Sequence, residues 1–208
     1  RQPVSSVVTD IARSLGGLVP SLRAYEDVKE EREITEEEAK ADKDFLENNK
    51  REFKELVKDG TIQEGANPYY VTALSDLYSR KGVGYKRSQE MVRLGDAIKS
   101  GIKVALHSDM PMAPASPLML MHAAVNRDNF AGKIAGPNQR ISKIEALKAV
   151  TINAAYVLRL EKMYGSIEVG KYANFTALNQ NPLMIKDNQI KDIEILGTVL
   201  KGDAIPLN

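Results

Sequence analysis

Cysteine is absent from the 208 residues. Disulfides, thiolate nucleophiles and thiolate-held metals are therefore excluded, although the compartment stays open. Tryptophan is absent too, and histidine occurs twice, so a site of three or four imidazoles cannot be assembled from this chain alone. No apolar run approaches the roughly 20 residues needed to span a bilayer. The formal net charge of +1 sets up no field for nucleic acid or an anionic membrane, and no basic stripe carries interleaved aromatics. The start, Arg1-Gln2-Pro3, has neither an initiator methionine nor a signal-peptide pattern, so a processing boundary or an artificial start is expected there. The expectation is a soluble protein, cytoplasmic or periplasmic, with neither nucleic acid nor membrane as partner.

Hydrophobic residues at 43% and charged residues at 27% suit one domain, or one domain with an appendage. The stretch that organises the chain is Gly101-Ile-Lys-Val-Ala-Leu-His-Ser-Asp109. Ile102 to Leu106 reads as a short strand buried on both faces. It delivers His107 and Asp109 to a loop stiffened by Pro111, Pro114 and Pro117, which forbid continuation of strand or helix. A helical pattern then resumes at Leu118. In α/β folds the carboxyl edge of the sheet, just before such a helix, is where the chemistry is kept. Alternation along an extended strand would point His107 and Asp109 the same way. The competing reading is that Asp109 caps the following turn and His107 hydrogen-bonds locally.

Before this stretch, the spacing predicts a helix over Pro3 to Leu15. A charge run follows at Glu26 to Glu33, and a capping-box start at Thr35 leads an acidic helix to Asp59, stopped by Gly60. Thr61-Ile62 is expected to open a short strand and Gln63 to Ala66 to form a turn. Asn67-Pro-Tyr-Tyr-Val-Thr72 reads as a loop with hydrogen-bonding tips, or else as two tyrosines that pack with wet hydroxyls. Ala73 to Tyr78 is a helical turn or more, and Ser88 to Lys99 one amphipathic helix. Beyond the centre, Leu118 to Val125 is too uniformly apolar for a surface helix, and its His122 reads as a core histidine with a satisfied ring. Ala131 to Arg140 is a loop. Ser142-Lys-Ile-Glu145 starts a helix that runs towards Ala155. After Leu160 the chain turns β-rich, with strands expected over Ala173 to Leu178, Ile193 to Leu200 and Gly202 to Pro206.

Four stretches together resemble the C-terminal part of the amidohydrolase superfamily, in the branch that includes N-substituted formamide deformylase-like enzymes. They are Asn67-Pro-Tyr-Tyr70, Val104-Ala-Leu-His-Ser-Asp-Met-Pro111, Ala146-Leu-Lys-Ala-Val-Thr-Ile-Asn-Ala-Ala155 and Gly165-Ser-Ile-Glu-Val-Gly-Lys-Tyr-Ala-Asn-Phe175. The resemblance implies an α/β fold: part of a (β/α)8, TIM-like barrel with a small C-terminal β-rich appendage. Residues 67–160 would be the barrel portion with strands seven and eight and 161–208 the β-sandwich tail, while 1–66, a helical, acidic segment, lies outside the stretches that carry the resemblance. It further implies that Asp109, after strand eight, is the catalytic carboxylate at a metal centre, as metal ligand or as acceptor of the proton from a metal-bound water. Zinc is the metal implied. Asn67, Tyr69, Tyr70 and His107 become the substrate-side candidates. The reaction implied is hydrolysis of a non-peptide C–N bond in a small molecule.

The family's His-x-His after strand one, and the histidines after strands five and six, have no counterpart in the chain. A second chain, a missing N-terminal portion or a homo-oligomer is expected to supply the rest, and the chain alone is expected not to hydrolyse amides. Two imidazoles and one carboxylate would suit iron rather than hydrolytic zinc, but the place of His122 in a buried helix well past Asp109 speaks against that triad. The rival function is a non-catalytic scaffold or interaction protein derived from the same fold.

Overall fold

The computed structural model describes residues 63–206. The expected helices at Pro3 to Leu15 and Thr35 to Asp59, and the strand start at Thr61, lie outside the described residues.

The first described element corrects an expectation. Gln63–Ala66, read as turn material, is strand β1. Its residues are weak strand formers, but it pairs in parallel with β2, Lys103–Leu106, in the register Gln63 to Lys103 through Ala66 to Leu106. Pairing with a strong apolar neighbour overrides local preference. In β2 itself Val104, Ala105 and Leu106 are all buried, so both faces of the strand are covered, as the apolar run requires.

Between the two strands runs a helical crossover, the connection a parallel pair demands. Helix α1, Tyr69–Lys81, begins four residues earlier than the expected turn and takes in most of the Asn67 to Thr72 segment. The first turn is stabilised by Asn67, whose Oδ1 accepts the Tyr69 N–H at 3.0 Å. The single helix expected over Ser88 to Lys99 is two: α2, Gly84–Ser88, and α3, Leu94–Lys99. The chain breaks at Val92, whose φ of 51° is unusual for a β-branched residue. The break is held from outside. The wholly buried Arg127 guanidinium donates to the carbonyls of Met91 at 2.7 Å and Val92 at 2.9 Å, and also to that of Ala135 at 2.7 Å. Those carbonyls are turned towards Arg127, so the helix cannot run through them.

Helix α4, Pro117–Asn126, follows the central loop as expected. Ser116 caps it by accepting the Met119 N–H, Pro117 occupies the first turn, and Arg127 ends it in the left-handed region at φ 53°. Its residues Leu118 and Leu120 to Val125 are buried, which fits a helix apolar on all sides. The buried His122 is satisfied within the core, with Nε2 3.3 Å from an Asp128 carboxylate oxygen and Nδ1 3.3 Å from the Asn126 amide. The loop over Ala131 to Arg140 contains one 3-10 turn, Pro137–Gln139.

Ser142 caps α5, Lys143–Ala149, by accepting the Glu145 N–H, so half of the capping box forms while the Glu145 carboxylate pairs with Lys148 instead. The expected run to Ala155 breaks at Thr151, and α6, Ile152–Val157, follows. Gly165 explains part of that break. It sits at φ 92°, and a Cβ there would lie 2.8 Å from both the Ala155 Cβ and the Ile152 Cα, so the first glycine of the Gly165 to Phe175 stretch allows the chain to cross the start of α6. Asn153 of α6 donates to the Val104 carbonyl at 3.1 Å and so ties this helix to β2.

The tail is a three-stranded antiparallel sheet of β3 (Phe175–Leu178), β4 (Ile195–Leu200) and β5 (Asp203–Pro206), in that order. The last two strands join through Lys201-Gly202, both at positive φ, the form a two-residue hairpin prefers. Between β3 and β4 a 3-10 turn, Asp187–Asp192, packs on α4 through the buried Ile190, and Asn126 donates to the Asp187 carbonyl at 2.8 Å. Among the described residues no helix is long and apolar enough to cross a membrane.

Candidate functional site

Two parallel neighbours end side by side, so the residues after β1 meet those after β2. The ladder closes with the His107 N–H donating to the Ala66 carbonyl at 3.0 Å. One residue further, the buried Asn67 donates from its amide to the Ser108 carbonyl at 2.8 Å. Beyond that, the Tyr70 hydroxyl donates to Asp109 Oδ2 at 2.8 Å. The structure thus brings Asn67, Tyr70 and Asp109 together at the carboxyl end of the sheet.

Asp109 leaves the strand geometry. Its φ is 51°, so the extended alternation expected to align it with His107 stops there. Left-handed backbone is tolerated by aspartate but costs free energy, and such outliers gather at functional sites. From the other side the loop is closed by the Met112 N–H to the Asp109 carbonyl at 2.8 Å and by the Ala113 N–H to the Ser108 carbonyl at 3.2 Å. Asp109 is exposed and shares only Oδ2 with Tyr70, which leaves a carboxylate oxygen for another donor. The phenol of Tyr70 is pushed above its ordinary value of 10.0, first by the hydrogen bond to Asp109, then by burial and by the Asp109 charge. It therefore remains a donor across the physiological range.

The other two candidates separate. Tyr69 turns away to meet Phe130 edge-on, with ring centroids 6.0 Å apart, which is the packing role. His107 is exposed at the end of β2, with its ring beside Gly65 of β1. Sequence reasoning did not foresee that Asn67 would bind the Ser108 backbone or that Tyr70, rather than Tyr69, would take the carboxylate. The available signal was Asn-Pro immediately before a helix, a pattern that places a capping amide at the end of a strand.

A metal fits this donor set poorly. Among the described residues no three His, Asp or Glu side chains gather so as to hold an ion, and His122 is engaged inside α4. Asp109 can offer one ligand and no more.

A family model described as "Amidohydrolase family" matches residues 19–205. The chain is 33% identical over 105 residues to the N-substituted formamide deformylase of Arthrobacter pascens, a match covering 50% of this chain and 19% of that protein. It is 38% identical over 79 residues to the imidazolonepropionase of Pseudomonas fluorescens, covering 38% of this chain and 18% of that one. The crystal structure of an uncharacterized metal-dependent hydrolase from Pyrococcus furiosus superposes with a TM-score of 0.51 at 28% identity, covering 65% of this chain and 26% of that one. The chain spans about a fifth of the length of these curated relatives.

Proposed function

The chain belongs to the amidohydrolase family, and from that premise we propose that it carries the strand-seven and strand-eight end of a TIM-like, (β/α)8 hydrolase barrel together with the β-rich tail. The reaction proposed is hydrolysis of a non-peptide C–N bond in a small molecule. The deformylase and the imidazolonepropionase among its relatives, named for C–N substrates, support this class. The observation that carries the reading is the Tyr70–Asp109 pair at the carboxyl end of adjacent parallel strands, where barrel enzymes keep their catalytic groups.

Asp109 is the general base in this proposal. Its carboxylate takes a proton from the attacking water, the water oxygen bonds to the amide carbon, and the proton is returned to the leaving nitrogen as the C–N bond breaks. Water is thereby added across the bond, giving an acid and an amine. A zinc ion belongs to the proposal for the full natural protein, supported by the metal-dependent hydrolase to which the structure is similar. Groups other than the described residues would hold most of it, with Asp109 offering one ligand.

The test is release of amine and formate from an N-alkyl formamide by the full natural protein, before and after chelation. Chelator-sensitive turnover is expected, and no turnover on a panel of small amides would overturn the proposal. One observation favours the second reading, a non-catalytic scaffold: the chain has two histidines, of which His122 is bound up in the core. Elemental analysis separates the two. About one metal per purified protein supports the hydrolase, and none supports the scaffold.

A further inference from the structure

The contacts between the two strand ends form a series. Ala66 holds His107 by the last ladder bond, Asn67 holds Ser108 through its side-chain amide, and Tyr70 holds Asp109 through its hydroxyl. The segment after β1 therefore continues, with side chains, the templating that the strand itself does with backbone. Each contact restrains one residue further along the loop. Asn67 is suited to this because it is buried and uses both ends of its amide, donating to Ser108 and accepting from Tyr69. Its grip also sets the first turn of α1, which fixes where Tyr70 stands. Asp109 needs such restraint, since its left-handed backbone is not a conformation it would keep unaided.

We propose that Tyr70 is a positioning residue for Asp109: its hydroxyl fixes Oδ2 and thereby presents the other carboxylate oxygen, in one orientation, to the reacting water. This differs from a substrate-binding role for Tyr70. A phenol has one proton to donate, and here that proton is committed to Asp109. The inference rests on the reading of Asp109 as the base.

Three variants of the full natural protein, Tyr70→Phe, Asp109→Asn and the pair combined, keep the two claims apart. A crystal structure of Tyr70→Phe is expected to show the Asp109 carboxylate spread over more than one rotamer with the Asn67 to Ser108 contact intact. An Asp109 in its original single orientation would overturn the proposal whatever the activity. In kinetics, Tyr70→Phe is expected to lower kcat about tenfold to a hundredfold with KM within about twofold, the cost of a misdirected catalytic group. In the Asp109→Asn background the same change is expected to cost nothing further in kcat, because the base whose orientation Tyr70 sets is gone. A raised KM with unchanged kcat would assign Tyr70 to the substrate and overturn the inference. An undiminished Asp109→Asn enzyme would instead overturn the function proposed above. An inactive Asp109→Asn beside a fully active Tyr70→Phe would sink the inference alone.

Discussion

Replacing Arg127 by alanine probes the least expected feature of the fold, a buried guanidinium that makes three bonds to backbone carbonyls. The lost partners dominate the cost. Ala135 is buried, so its carbonyl is left unpaired at about 2 kcal/mol, while Met91 and Val92 are half-buried and recover water in part, at about 1 kcal/mol each. Lost packing of the arginine stem adds about 2 kcal/mol. Against this stands the relief of a buried charge. Burial, followed by the Arg140 charge, lowers the Arg127 pKa to about 10, which corresponds to roughly 3 kcal/mol.

The net expectation for Arg127→Ala is a loss of about 3 kcal/mol, read as a lower urea midpoint at unchanged slope. The sign of the pH dependence follows from the same shift. A cation whose pKa is lowered on folding carries its full burial cost below about pH 10, and stability recovers only as pH rises through that value. The difference between variant and parent should therefore be flat between about pH 5 and 9. Arg127→Met keeps most of the stem and should lose about 2 kcal/mol less. A loss under about 0.5 kcal/mol for Arg127→Ala, typical of an unconstrained surface site, would refute the account of the break at Val92.

Two further expectations concern other joints of the fold. Gly165→Ala should destabilise by about 2–4 kcal/mol, since its Cβ would meet Ala155 and Ile152 at 2.8 Å and its φ is 92°; a thermal midpoint within error of the parent would contradict this. At Asp96, burial pushes the carboxyl up, but hydrogen bonds from Arg93 and Gln139 and the charges of Arg93 and Lys99 outweigh it and hold it below 3.8. Its contribution is thus complete above that pH and lost below it, so Asp96→Asn should flatten the acid limb of the stability profile below about pH 4, by under about 1 kcal/mol for a half-buried pair that water still screens. An unchanged acid limb would count against it.

What the sequence made legible was whatever rests on strong local signals. The apolar run at Ile102 to Leu106, the capped apolar helix from Pro117 and the Lys201-Gly202 hairpin all follow from patterning and turn chemistry, and each formed. What failed depends on partners far along the chain. Gln63–Ala66 has no strand signature of its own and becomes one because β2 lies beside it. The helices broken at Val92 and at Thr151 read as continuous because periodicity does not register an arginine 35 residues away or a glycine crossing. At the site, residue type and position singled out the Asp109 loop and the Asn67 to Tyr70 segment, and the structure brings Asn67, Tyr70 and Asp109 together. Which tyrosine would reach the carboxylate was not, because that depends on where α1 begins, and Asn67 decides it.

The most direct measurement on the central claim is turnover of an N-alkyl formamide by the full natural protein and its Asp109→Asn variant, matched for folding by circular dichroism. The amide is nearly isosteric and can still pair with Tyr70, so the change removes the base and little else. The account predicts that kcat falls by about 10²–10⁴, the usual contribution of a positioned general base. A variant that turns over at the parent rate would contradict it.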